Sequence, residues 1–177
     1  ETSIPIEDAP EDIRKAVQQL SFAYKRSAET LYEAQDEAMA EAVEASRALG
    51  VGPGLGTGEE GAGILRCALE TSGNQPLLLD ADALNLVASG QGPSLTELGS
   101  SRDVVLTPHP GEMSRLTGLE AERVTTRRPE VALTFARETG CTVLLKGMPS
   151  LVTSPGGRIL VDSVGSSDLA AAGMGDV

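Results

Sequence analysis

The sequence predicts an α/β fold with a mostly parallel central sheet. Three observations carry that expectation. Short apolar runs, Leu77-Leu78-Leu79, Val104-Val105-Leu106 and Thr142-Val143-Leu144-Leu145, alternate with longer stretches of helical periodicity. Each run ends in a polar or glycine-rich segment, and open α/β sheets place ligands along that edge. Aromatic residues make up only 2% of the chain, with no Trp, so the core must be Leu, Val, Ile and Ala. Such a core suits a buried parallel sheet covered by helices.

With 177 residues the chain is long enough to bury a real core as one main domain. The net charge of −12 argues against nucleic acid and against anionic membrane surfaces. It leaves a phosphorylated small molecule open, because the field inside a pocket differs from the global one. No apolar run approaches transmembrane length, and no basic-then-apolar leader is present. The first residue is Glu, so the start reads as processed or trimmed. Cys67 and Cys141 are isolated, without metal or redox spacing, and are expected to be free thiols of a cytosolic protein.

Residues 3–10 form an acidic, proline-containing lead-in. Residues 11–20 carry Ile13, Val17 and Leu20 at helical spacing, and residues 27–48 are rich in Ala, Glu and Leu. Both stretches are expected to be helical, with a solvated acidic face. Leu49–Val51 then reads as a short strand that runs into Gly52-Pro53-Gly54-Leu55-Gly56-Thr57-Gly58. These glycines alternate and do not have the dinucleotide-binding spacing. A ligand loop and a tight strand-to-helix turn are equally good readings. A helix follows, with Ile64, Leu65, Ala68 and Leu69 on one face.

The continuous run Leu77-Leu78-Leu79 has the mark of a central strand. It delivers Asp80 and Asp82 to its C-terminal edge. Asp82 is expected to cap the next helix, which carries Leu84, Leu86 and Val87. For Asp80 a structural hydrogen bond is favoured over direct catalysis. Residues 91–102 read as a polar loop.

Val104-Val105-Leu106 ends in Thr107-Pro108-His109-Pro110-Gly111-Glu112. His109 is the only histidine, and prolines stiffen the backbone on both sides of it. Its place at a strand end, on a loop that opens a helix, makes ligand contact as good a reading as a structural one. Glu112 and Arg115 follow on the first turns of that helix, either lining the same pocket or pairing on the surface. Met113 and Leu116 lie on its buried side.

Residues 129–139 read as a helix with Val131, Ala132, Phe135 and Ala136 inward, ended by Gly140. The strand Thr142–Leu145 ends at Lys146-Gly147. A lysine at a strand's C-terminal edge is a candidate phosphate contact, and a plain surface lysine is the alternative. Residues 151–153 and 158–161 flank Pro155-Gly156-Gly157 and predict a hairpin at the sheet edge. The chain closes on small residues, then Gly173-Met174-Gly175-Asp176. Such backbone can wrap an anion. An acid there makes sense if Asp176 takes a proton from a hydroxyl that attacks a phosphoryl group. The plain alternative is a flexible tail ending in a solvated carboxylate.

Five motifs stand in order: Gly52-Pro53-Gly54-Leu55-Gly56, Leu79-Asp80-Ala81-Asp82-Ala83-Leu84-Asn85, Thr107-Pro108-His109-Pro110-Gly111-Glu112, Leu145-Lys146-Gly147 and Gly173-Met174-Gly175-Asp176. Together they resemble the NAD(P)H-hydrate dehydratases, the carbohydrate-kinase-like domain of the YjeF family. The resemblance implies a ribokinase-like three-layer αβα sandwich with a mostly parallel central sheet. Because residues 1–48 match the family poorly and the chain stops just past Asp176, the first strand and last helices are expected to be missing. It also implies two parts: a helical N-terminal segment, 1–48, and a dehydratase core, 49–177.

The activity implied is repair of hydrated NADH or NADPH, NAD(P)HX, with ADP or ATP as phosphoryl donor and Mg2+ to screen the phosphates. By position, Asp176 would be the base for the ring hydroxyl and would also touch the substrate. Gly54, Gly56, His109, Glu112 and Arg115 would contact the hydrated dinucleotide. Lys146, Gly147, Met148, Pro149 and Ser150 would contact the nucleotide, and Gly173, Met174 and Gly175 the transferred phosphoryl group. No dedicated protein ligands for a metal are expected. The resemblance further implies a homo-oligomer, often a tetramer, in the cytoplasm. Two other readings stand beside it. One is a kinase of the same fold acting on a vitamin precursor or sugar, which shares Gly-x-Gly-Asp but not the block from Thr107 to Glu112. The other is a truncated, non-catalytic nucleotide-binding domain.

Overall fold

The computed structural model describes residues 41–162. The expectations for residues 1–40, and for the closing segment with Gly173, Met174, Gly175 and Asp176, lie outside the described residues. Internal contacts divide the chain into Glu1–Ala42 and Val43–Val177. The architecture below is that of the second unit.

Its elements alternate as the sequence predicts. They are β1 (Leu49–Val51), α1 (Glu59–Thr71), β2 (Leu77–Leu79), α2 (Ala81–Ala88), α3 (Leu95–Ser101) and β3 (Val104–Leu106). Then come α4 (Pro110–Thr117), α5 (Ala121–Thr126), α6 (Arg128–Thr139), β4 (Thr142–Leu145), β5 (Ser150–Thr153) and β6 (Ile159–Asp162). The strands form one sheet in the order β1-β2-β3-β4-β5-β6. The first four are parallel, with Val51 beside Leu79, Leu79 beside Leu106 and Leu106 beside Val143. The last two are antiparallel and make the expected edge hairpin, with Leu151 beside Val161. Its turn is closed by Gly157 N–H donating to the Ser154 carbonyl at 3.0 Å.

Parallel strands laid down one after another in a single direction send every right-handed crossover to the same side. The burial pattern follows from that. Leu77, Leu79, Leu106, Val143 and Leu145 point under the helices and are buried, together with Leu65, Leu84, Met113 and Ala132. Each fully buried aliphatic side chain contributes about 1.5–3 kcal/mol. Along the strands the alternate residues face the other way, and Leu78 is 39% and Leu160 68% exposed. Leu78 is thus left part-exposed, while β2 lies inside the sheet between β1 and β3, as expected of a central strand. A short apolar run does not reveal how many layers of helix cover it.

The polar loop expected over residues 91–102 is also corrected, because it contains α3. Ser94 Oγ caps this helix by accepting from Glu97 N–H at 3.4 Å, and Leu95 and Leu98 are buried beneath it. Two apolar residues in one short helix are too few to show a period. Gly140 ends α6 in the left-handed conformation at φ 72°, as expected.

Candidate functional site

The polar ends of β1, β2, β3 and β4 meet along one edge, and a chain of hydrogen bonds links them. At β1, Gly52 has φ 146°, and a Cβ there would overlap the Asp80 carbonyl oxygen. Only glycine lets the loop leave β1 so close to the end of β2. The loop then lies on α1: a Cβ at Gly61 would overlap the Gly56 carbonyl oxygen. Gly58 is the N-cap of α1 and offers no side-chain cap.

Of the two aspartates after β2, Asp80 makes the structural hydrogen bonds expected of it, whereas the capping role expected of Asp82 is corrected. Asp80, not Asp82, caps α2, with Oδ1 accepting from Ala81 N–H at 2.9 Å. The same oxygen accepts from Lys146 Nζ at 2.6 Å. Asp82 turns to the glycine loop, where Oδ2 accepts from Gly56 N–H at 2.8 Å. Between them Ala81 has φ 45°. That left-handed conformation costs a non-glycine residue about 1–2 kcal/mol. It is held by the contacts of the two carboxylates that flank it.

Beyond β3, Thr107 is buried and donates its N–H to the Leu79 carbonyl at 3.2 Å. The Pro108 carbonyl accepts from Lys146 N–H at 2.8 Å, tying the ends of β3 and β4 together. His109 is the N-cap of α4. Its Nδ1 accepts from Gly111 N–H at 3.0 Å and Glu112 N–H at 3.2 Å. Glu112 Oε2 reciprocates by accepting from His109 N–H at 2.8 Å, a capping box. Its Oε1 lies 3.3 Å from His109 Nε2. Glu112 is thus a buried structural carboxylate, while the His109 ring stays 49% exposed. Arg115 Nε donates to Asn85 Oδ1 at 3.0 Å, joining α4 to α2.

After β4, Lys146 keeps its side chain 34% exposed beside Asp80. Gly147 follows at φ 137°, then the exposed Met148 and Pro149 and the half-buried Ser150, whose Oγ donates to the Gly147 carbonyl at 3.0 Å. The sequence reading missed Arg128, the first residue of α6. Its Nη2 donates to the carbonyls of Leu145 and Lys146 at 3.3 Å each and of Pro149 at 2.7 Å. A cue was present: a cation in the first turn of a helix opposes the dipole, so it needs partners elsewhere.

The structure thus connects Gly56, Asp82, Asp80, Lys146 and the Pro108–His109 peptide through direct contacts, with Glu112 and Arg115 on the adjoining helix. For Asp176 and Gly173 to Gly175 it describes nothing. Two cavities, of about 270 and 400 Å3, lie elsewhere: one beside Leu65, Arg66 and Gln91, the other beside Arg123, Glu130 and Phe135. Neither contains a strand-end residue, and the edge remains the better candidate because the polar groups converge there. As for a metal, Asp80, Asp82 and Glu112 are all engaged with protein donors. Among the described residues no three His, Cys, Asp or Glu side chains are grouped to hold an ion. The described residues therefore do not by themselves form a magnesium cage.

Comparison with known proteins agrees with the motif reading. A family model described as NAD(P)H-hydrate dehydratase matches residues 11–177. The match begins well before residue 49, so it takes in most of the segment that carries no recognisable motif. The bifunctional NAD(P)H-hydrate repair enzyme Nnr of Salinibacter ruber is 43% identical over 143 residues, covering 80% of this chain and 25% of that protein. Among solved structures, the ADP/ATP-dependent NAD(P)H-hydrate dehydratase of Bacillus subtilis, crystallised with ATP and Mg2+, aligns with a TM-score of 0.61 at 28% identity. It covers 77% of this chain and 49% of its own. A ribokinase-like superfamily protein of Enterococcus faecalis aligns with a TM-score of 0.64 at 26% identity, covering 78% of this chain and 46% of its own. The α/β fold is therefore ribokinase-like, and the chain spans about half or less of the length of these proteins. With a model match over nearly all its residues, and with the four motifs that fall among the described residues brought to one sheet edge, the chain belongs to the NAD(P)H-hydrate dehydratase family.

Proposed function

We propose that this protein restores hydrated NADH or NADPH by ADP- or ATP-dependent dehydration, and that the sheet edge is where the two phosphate-bearing molecules meet. The observation that carries the reading is the linkage of the glycine loop, Asp80, Lys146 and the His109 loop in a chain of this family. Gly54, Gly56, His109 and Arg115 form the side facing the hydrated dinucleotide, with Glu112 behind His109 as its capping partner. Residues 146–150 face the nucleotide. Gly173, Met174 and Gly175 receive the transferred phosphoryl group, and Asp176 is the base.

In the first step Asp176 takes the proton of the ring hydroxyl. The hydroxyl oxygen forms a bond to the terminal phosphorus, and the bond from that phosphorus to the nucleotide breaks. ATP leaves as ADP, or ADP as AMP. In the second step the carbon–oxygen bond breaks, with the ring nitrogen lone pair assisting and inorganic phosphate departing. Loss of a proton from the neighbouring carbon restores the double bond. Hydroxide is a poor leaving group and phosphate a good one, so the protein's task is chiefly to align two anionic molecules and stabilise charge.

Magnesium, when bound, would be carried on the nucleotide and would screen the charge of its phosphates. Residues 49–177, which carry all five motifs, are assigned as the catalytic core. A cytoplasmic homo-oligomer, tetrameric by resemblance, is the expected form, acting on small molecules and not on nucleic acid or membranes.

The test is direct. The protein is incubated with hydrated NADH, Mg2+ and either ADP or ATP, and absorbance of the reduced cofactor is followed. Recovery with one of the nucleotides is expected. No recovery with either nucleotide overturns the proposal, and accumulation of a stable phosphorylated product points instead to a kinase.

A further inference from the structure

We infer that Arg128 is a positioning residue for the nucleotide segment, residues 146–150, although it contacts no ligand itself; this rests on the assignment of that segment to the nucleotide. Arg128 opens α6, whose N-terminus disfavours a cation. The guanidinium is nevertheless held there by three backbone carbonyls, those of Leu145 at the end of β4 and of Lys146 and Pro149 in the loop after it, 17 to 21 residues further on. The Arg128 Nε is buried with no partner among the described residues, so the side chain keeps this place at the expense of one donor.

The orientation of the peptides explains what this achieves. In a trans peptide the C=O and the following N–H point in opposite directions. Drawing the Lys146 carbonyl to Arg128 therefore turns the Gly147 N–H to the far side of the loop. Gly147 completes the arrangement. Its φ of 137° suits glycine, and a Cβ there would overlap Arg128 Nη1. The guanidinium thus packs flush behind the loop, gathers its carbonyls and leaves amide hydrogen and positive potential on the side where an anion would lie. Lys146 itself is held by Asp80 and the Pro108 carbonyl, so Arg128 fixes the part of the segment those two contacts do not reach.

The experiment compares Arg128→Gln, Arg128→Lys and wild type by calorimetric titration with Mg-ADP and Mg-ATP, by KM for hydrated NADH at saturating nucleotide, and by Tm. Losing the charged fork from three carbonyls is expected to weaken nucleotide binding about tenfold or more in Arg128→Gln. KM for the hydrated dinucleotide should stay within about twofold, because its side of the edge is tied independently through Asp82 and Gly56. Arg128→Lys, which keeps the charge but not the fork, should lose about threefold. If Arg128→Gln does not fold, Arg128→Lys is read alone against the same expectation. Unchanged nucleotide affinity with a lowered Tm overturns the inference, as does a rise in KM for hydrated NADH as large as the loss of nucleotide affinity. Wild type that binds neither ADP nor ATP removes the functional assignment and this inference together. Intact wild-type binding shared by the variants removes only the inference.

Discussion

Lys146 sets its ammonium 2.6 Å from Asp80 Oδ1, a carboxylate 66 residues earlier in the chain that also caps α2. Asp80 is 8% exposed, and its loss leaves a partly covered cation and an uncapped helix. Asp80→Ala is expected to lower stability by about 1–3 kcal/mol, read from urea denaturation. Asp80→Asn, which retains a capping oxygen, should lose less. Equal losses would show that the ion pair and not the cap dominates.

Gly52 and Gly54 both have positive φ but differ in their surroundings. A Cβ at Gly52 meets the Asp80 carbonyl, whereas one at Gly54 meets nothing within 4 Å. Gly54→Ala should therefore cost only the conformational penalty, about 1–2 kcal/mol. Gly52→Ala should cost several kcal/mol or prevent folding, since β1 and β2 would have to part. Comparable denaturation midpoints for the two variants would contradict the close approach.

Asp82 pins the Gly56 amide and makes no contact with Lys146. Asp82→Ala is expected to raise KM for the hydrated dinucleotide by about tenfold through loss of a charge-assisted hydrogen bond. Nucleotide affinity should change little. Steady-state kinetics with each ligand varied in turn separates the two effects.

Asp176→Asn removes the proposed base. Turnover is expected to fall by about 100-fold to 10,000-fold, while Mg-ADP still binds with near wild-type affinity. Rapid-quench measurement of phosphoryl transfer, paired with calorimetry, checks both halves. A variant that turns over normally takes Asp176 out of the mechanism.

Burial raises the Cys141 thiol pKa above its ordinary 9.0, with the Thr139 hydrogen bond opposing the shift in part. Cys67 is only half-buried. At neutral pH a thiol reagent should label Cys67 and spare Cys141 until the protein unfolds, as peptide mass mapping would show. Above 9.0 the unfolded chain releases the Cys141 proton while the folded one keeps it, so stability is full below 9.0 and falls as pH rises through the folded value. Cys141→Ala should abolish that fall in a pH series of denaturation curves.

Local pattern alone determined much of this protein. The apolar runs located β2, β3 and β4, the turn residues located the edge hairpin, and the rule that ligands collect at the C-terminal ends of parallel strands located the edge. These features were legible because strand runs, turns and caps depend on neighbours within a few residues. The order of the five motifs pointed to the family before any geometry was known. Where periodicity had too few residues to work with, at Leu95 and Leu98 in α3, the sequence was silent.

Only the tertiary structure decided which donor each carboxylate serves. Asp80 and Asp82 stand two residues apart and either could have capped α2. The left-handed turn at Ala81 and the positions of Lys146 and Gly56 sent one to the lysine and the other to the loop. Arg128 gave no motif because its partners are backbone carbonyls, which every residue has and no sequence displays. The physical reason is common to all three. A polar side chain is satisfied by whatever group the strand order brings within about 3 Å, and strand order is a property of the whole sheet.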